Sequence, residues 1–224
     1  MAERTAPKLV REDPDREPLV GNIKVTREDW LNLARDVLVH DGVAELKILS
    51  LAERLDVSRS SFYWYFKSKS DLQESLLDEW ENRNTGQILA QCRLPSRTIA
   101  EAVSNFFRCF VDSDGFDSGL DFAMREWSRR NANVRARIDK ADATRLEAVT
   151  QLFLRHGYPE EEADIRARVI YFQQIGYHAL ELRESLETRL SRVAGFLRAF
   201  TGQEPDDQTM DEFLTYARLK GPKS

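Results

Sequence analysis

From Trp30 onward the apolar residues of this chain recur at intervals of three and four, and nowhere do they alternate with polar ones over the length of a strand. Such spacing gathers them on one face of a helix, so the chain is expected to be all-α. Gly and Pro fall mostly between the periodic segments, at Gly42, Pro95, Gly115, Gly119, Gly157, Pro159, Gly202 and Pro205, where helix breaks belong. Beyond residue 68 the pattern predicts helices over 69–92, 96–112, 118–130, 131–156, 160–184, 187–201 and 206–219. Residues 1–24 stand apart. They carry three of the seven prolines, many charges and no amphipathic period, and read as a flexible arm.

At 224 residues, 42% of them hydrophobic, the chain can bury a substantial core. No apolar run approaches the ~18 residues of a membrane span, and the charged start is unlike a secretory signal. A cytoplasmic protein with no membrane partner is expected. Cys92 and Cys109 have no metal-ligand spacing and read as reduced thiols. His40, His156 and His178 are scattered. Asp112 to Gly115 faintly suggests a calcium loop, but the ligand pattern is out of register, so a plain loop is expected. With no nucleophile–base pair, metal cluster or Gly-rich phosphate cradle, the expectation is a protein that is not an enzyme, without catalytic residues, metal or cofactor.

The first periodic segment opens on Thr26-Arg27-Glu28-Asp29, a hydroxyl followed three residues later by a carboxylate, which is the pattern of a capping box. Trp30, Leu33, Ala34, Val37 and Leu38 then form one stripe, ending at Gly42. A short second helix carries Ile48, Leu51, Ala52 and Leu55. After the turn Asp56-Val57-Ser58, Ser58 can cap a third short helix over 59–65, and Ser68 to Asp71 forms another cap ahead of a longer helix bearing Leu72, Leu76, Leu77 and Trp80. Two short helices joined by a tight turn and propped by longer ones is the helix-turn-helix plan. Spacing alone also fits a small helical hairpin with an aromatic-rich core.

Net charge is −5, a balance that on its own speaks against nucleic acid. Locally the sign reverses: residues 46–72 hold five basic and three acidic side chains. Five consecutive aromatics, Phe62 to Phe66, sit on the third helix, and they cannot all share one face. Val57, Phe62 and Phe66 are expected to point inward with Leu51 and Leu55. Tyr63, Trp64 and Tyr65 must then meet something else. Ser58, Arg59, Ser60 and Ser61 make a polar leading end. Arg59 has the fork that reads guanine bidentately, and Lys69 lies at a helix N-terminus, where amides favour an anion.

The stretch AERLDVSRSSFYWYFKSKSDL resembles the signature of the TetR family of transcriptional regulators. The matching positions are Leu51-Ala52, Val57-Ser58, Ser61, Phe62, Tyr63, Phe66, Lys69 and Leu72, without insertion, and the likeness runs from Thr26 to about Trp80. It implies a helix-turn-helix DNA-binding domain over 25–70 and a larger helical ligand-binding and dimerisation domain over 71–224. It further implies that Tyr63, Tyr65 and Lys69 anchor phosphates, that Arg59, Ser60 and Ser61 face base edges, that Trp64 lies at the groove wall and that Lys47 reaches the backbone. Two positions depart from the signature: Asp56 stands where glycine is usual, and Tyr65 where histidine is usual.

By the same resemblance the last long helices pair between two copies. Leu186, Leu190, Val193, Leu197 and Phe200 are spaced as the narrow seam of a helix packed on a helix, and Ile165, Val169, Phe172, Gly176 and Ala179 line one face of the preceding helix. Either stripe would equally serve to close the core of one copy. The resemblance implies a ligand cavity as well, for which the bulky candidates are Phe106, Phe110, Phe122, Met124, Trp127, Phe153 and Tyr171. The implied function is a homodimeric repressor that binds double-stranded, palindromic operator DNA and is released by a small-molecule effector. The acidic balance supports a second reading, an activator or interaction partner that does not repress alone.

Overall fold

The computed structural model describes residues 25–112, 115–180, 182 and 184–221. The expected arm over 1–24, and Ser113 and Asp114 of the expected loop, lie outside the described residues. Every regular element among the described residues is helical, as the spacing predicts. The chain divides into two compact units, with the division between Leu77 and Asp78.

The first unit begins with α1 (Arg27–His40), followed by a 3-10 turn (Val43–Glu45), α2 (Ile48–Arg54), α3 (Arg59–Phe62) and the start of α4 (Lys69–Trp80). The capping box ahead of α1 is present: Asp29 N–H donates to Thr26 Oγ1 at 3.2 Å, and Thr26 N–H donates to Asp29 Oδ2 at 2.7 Å. Ahead of α4, Ser68 Oγ accepts from Asp71 N–H, while the Asp71 carboxylate reaches back to Lys67 N–H. The turn between α2 and α3 explains the missing glycine. Asp56 has φ 55°, Asp56 N–H donates to the Glu53 carbonyl and Val57 N–H to the Ala52 carbonyl. Those two bonds close a Schellman motif around a left-handed residue, and aspartate is among the few non-glycine residues that adopt it readily.

The second unit takes α4 onward through a π-helical turn (Glu81–Thr85) into α5 (Gly86–Cys92), then α6 (Ile99–Val111), α7 (Ser118–Ser128), α8 (Ala132–Arg155), α9 (Glu160–Ala179), α10 (Leu186–Leu190), α11 (Val193–Thr201) and α12 (Asp207–Lys220). Its core gathers Phe106, Cys109, Phe153, Ile170 and Tyr171 with Leu197 and Phe200.

Three boundaries differ from the sequence reading. The segment 69–92 is helical throughout but contains the π-turn. The helix expected over 160–184 stops at Ala179, where Leu180 caps it. The helix expected over 187–201 is broken at Ser191-Arg192, because Arg192 N–H turns to the Arg189 carbonyl in a three-residue step. Among the described residues no helix is long and apolar enough to cross a membrane.

Candidate functional site

The third helix divides its aromatics by phase. Phe62 and Phe66, one turn apart, are both buried; they stack with centroids 5.2 Å apart, and Trp30 meets Phe62 edge-on at 5.3 Å. Leu51 is buried with them, while Val57 and Leu55 are half-buried. Tyr63 and Trp64 turn out to solvent, and the Trp64 side chain is 76% exposed. Side by side, Tyr63 and Trp64 give this helix an exposed aromatic edge.

The leading end of α3 is polar and mostly open. Ser58, Arg59 and Ser60 are exposed, and Arg59 Nη2 donates to Tyr63 Oη at 3.3 Å, holding the guanidinium along the outer face. Ser58 occupies the N-cap position, yet its hydroxyl pairs with Ser60 Oγ at 2.8 Å instead of capping a backbone amide. Lys47 precedes α2, exposed, in a surface ion pair with Glu45 that costs little to give up. Lys69, at the first position of α4, is half-buried.

Two expected contacts are placed differently. Ser61 is 7% exposed and faces inward with Phe62, so its hydroxyl is not turned to the outer face. Tyr65 is half-buried and its hydroxyl donates to the Val25 carbonyl at 2.6 Å, which ties the third helix to the residue ahead of α1. The α-helix itself covers only Arg59–Phe62. Residues 63–65 continue it in three-residue turns, shifting the faces of Tyr63 and Trp64 relative to a regular helix.

In the second unit the sequence reading missed a buried charged network. Arg145, 1% exposed, donates from Nη1 to Asp121 Oδ1 at 2.9 Å and from Nε to Thr85 Oγ1 at 3.0 Å, and its guanidinium lies over the Trp80 ring. Trp80 Nε1 donates to the same Asp121 oxygen at 2.8 Å. Arg125 bridges the Asp121 and Asp142 carboxylates, and Tyr171 Oη donates to Asp142 at 2.7 Å. Burial alone would raise the Asp121 carboxyl, but Arg145 and Arg125 outweigh it and hold it at about 2. Asn84, in the π-turn, completes the frame: its side chain donates to the Asp117 carbonyl and accepts from Asp117 N–H.

A cavity in this unit, about 80 Å³, lies elsewhere from most of the expected residues. Of the candidates only Phe110 lines it. Phe106, Met124 and Phe153 are fully buried, Trp127 is buried, Phe122 is half-buried, and Tyr171 is committed to the charged network. The cavity is walled instead by residues of α6 and α9 through α12, among them Phe110, Val193 and Phe196, with Ser104, Gln173 and Arg189 as polar members. Gln174, also on its wall, lies 2.9 Å from His178 through their Nε2 atoms, and the His178 ring stacks on Phe116. Burial pushes the His178 pKa down to about 4.

The two stripes part company. Leu190, Leu197 and Phe200 are buried and Leu186 and Val193 half-buried, all within the core of the chain itself, so the seam over 186–200 closes one copy and is not an outer face. On α9, by contrast, Ile165, Val169 and Phe172 are 54, 53 and 52% exposed, with Ala179 exposed and Gly176 half-buried beyond them. A groove between α9 and α11, lined by Ile165, Val169 and Ala199, adjoins this stripe.

Both thiols are buried, and burial drives Cys92 up to about 12 and Cys109 well above its usual value, which makes them inert. Among the described residues no group of three or more His, Cys, Asp or Glu could hold a metal ion.

The family model for bacterial regulatory proteins of the tetR family matches residues 31–76, which run from α1 through the turn and α3 into α4. No curated protein matches the chain. Among solved structures, GusR of Salmonella enterica is 16% identical, with 86% of this chain and 95% of that one covered at a TM-score of 0.56. A TetR-family transcriptional regulator from Marinobacter aquaeolei is 14% identical over 88% and 100%, at 0.60. AmtR of Mycobacterium smegmatis is 16% identical over 95% and 99%, at 0.57. At such identities the likeness is one of fold, and it extends across both units. The family model thus identifies residues 31–76 with the helix-turn-helix of the tetR family of bacterial regulatory proteins, and over the rest of the chain the likeness to TetR-type structures is one of fold.

Proposed function

We propose that this regulator is a homodimeric repressor that leaves its operator when a small molecule binds the second unit. The observation that carries the DNA-binding half is the outer face of the third helix. Arg59, Ser60, Tyr63 and Trp64 stand exposed on it, backed by the buried pair Phe62 and Phe66. Arg59 is suited to a guanine edge, Tyr63 and Lys69 to phosphates, and Trp64 to a thymine methyl. Lys47 adds a backbone contact. Tyr65 supports the interface indirectly, by fixing the third helix through Val25.

Dimerisation rests on the exposed stripe of α9. An apolar row of this kind, beside a groove, favours a second copy of the same face. Two recognition helices then read a palindromic operator at half-sites ~34–36 Å apart or at multiples of that. The effector acts from the cavity. Contacts run from Gln174 on its wall to His178, to the Phe116 ring, to Arg145 above that ring, and so to Trp80, the last residue of α4. An effector that favours the non-binding state by ~3 kcal/mol lowers DNA affinity more than a hundredfold.

The second reading, an activator or interaction partner, is favoured only by the net charge of −5. Binding of promoter DNA from the adjacent gene, measured in a gel-shift series from 50 to 200 mM salt on the order used to count phosphate contacts, separates the two. The repressor reading expects affinity to fall steeply with salt. A flat response supports the interaction partner.

A further inference from the structure

Resting on the reading that the second unit holds an effector, we propose the chemical class of that effector: a short aliphatic carboxylate, held in the cavity of α6 and α9–α12 with its charge on Arg189. The size sets the first limit. About 80 Å³ is well above the ~10–15 Å³ that one water needs and below the ~150 Å³ that admits benzene. The space suits a short alkyl chain and excludes fused rings.

The wall sets the second limit. Phe110, Val193 and Phe196 are typical of the apolar sides, and they favour hydrocarbon. A pure hydrocarbon, however, leaves polar atoms stranded. Ser104 is 2% exposed and its Oγ has no hydrogen-bond partner, and the buried Gln173 Oε1 has none either. Both residues line the cavity. Buried polar atoms without partners are uncommon and costly, so the occupant brings a polar group with its alkyl chain. The Ser104 hydroxyl can donate to an oxygen, and the Gln173 amide can turn its NH₂ inward for the same purpose.

Charge sets the third. Glu184 is already engaged by Arg192 at 2.5 Å and by the Tyr177 hydroxyl. Arg189 lies over the Tyr177 ring, 5.5 Å from its centroid, and with Arg192 it helps to lower the Glu184 carboxyl. Among the described residues the cavity lining carries these two guanidiniums and no carboxylate, so its net positive charge selects an anion, and beside the half-buried Arg189 the attraction is stronger than in bulk water. Apolar chain, hydrogen-bonding oxygen and single negative charge together describe a short fatty acid anion.

Titration calorimetry on the full chain, without DNA, tests the assignment with propanoate, butanoate and propanamide. Propanoate, smaller than benzene, is expected to bind at least tenfold tighter than propanamide. Arg189→Gln should abolish that preference, and Arg189→Lys, which keeps the charge, should retain most of it. Ser104→Ala should weaken propanoate severalfold while the far-ultraviolet circular dichroism stays unchanged. Equal binding of acid and amide, no binding of either acid, or a preference that survives Arg189→Gln overturns the proposal. Operator binding by the ligand-free protein is measured separately. A protein that binds DNA but none of these probes overturns the effector class and leaves the repressor reading standing; one that binds propanoate but no DNA does the reverse.

Discussion

Asp56 carries a conformational cost that another residue would remove. Its φ of 55° sits where an L side chain crowds the backbone. Replacing it with glycine keeps both bonds of the Schellman motif and relieves the crowding, so Asp56→Gly is expected to stabilise the first unit by about 0.5–1 kcal/mol. Thermal unfolding followed by circular dichroism checks this, and a lowered midpoint contradicts it. His178 presents the opposite case, a group whose burial makes it pH-sensitive. Its ring lies against Phe110 and Phe116, with Asp121 opposing and Arg189 and Arg125 reinforcing the burial that lowers its pKa to about 4 from 6.5. Between those values the unfolded chain binds a proton that the folded chain refuses. Stability is therefore full above pH 6.5 and declines as pH falls toward 4, by up to roughly 1.4 kcal/mol per unit from this group. His178→Gln should flatten the fall measured by urea unfolding from pH 6.5 to 5; an unchanged slope would remove His178 as its source.

At the scale of elements, periodicity identified faces but not what covers them. Phe62 and Phe66 could be read as core because they are one turn apart and share a face with the α2 residues. Ser61 could not, since on a four-residue helix a change of one position turns the side chain by ~100°, and Ser60 and Ser61 look alike in sequence. The seam over 186–200 has the spacing of a helix–helix contact, and that spacing is the same whether the neighbour is α6 of the same chain or a second copy. Arg145 and Asp121 were invisible for a related reason. A charged residue in a charge-rich helix reads as solvent-facing, and only the packing of α7 and α8 shows them buried and mutually paired. Removing one partner of such a buried pair costs ~3–5 kcal/mol. The α9 stripe was legible because its apolar row persists while the residues beside it are charged. A single charge within it should break the pairing of copies: Phe172→Glu is expected to yield a folded monomer by sedimentation velocity, since the side chain is already half in solvent. A dimer of undiminished strength would place the contact on another face.

For the molecule as a whole, the proposed function divides the work between a recognition helix in one unit and a cavity in the other, and the fold shared with solved TetR-type structures covers both. The helix-turn-helix half was the more legible, because its pattern is compressed into one short segment that matches a family model. The residues that line the cavity are scattered over α6 and α9–α12, and nothing in their spacing distinguishes a cavity wall from a packed core. The most direct measurement is competition binding on an operator selected from random-sequence DNA by the protein itself, using single-base variants of that operator. Arg59→Ala should lose discrimination at one base pair in each half-site, worth about 1–3 kcal/mol, and keep it elsewhere. Failure to select any sequence, or full discrimination retained by Arg59→Ala, would contradict a recognition helix that begins at Arg59.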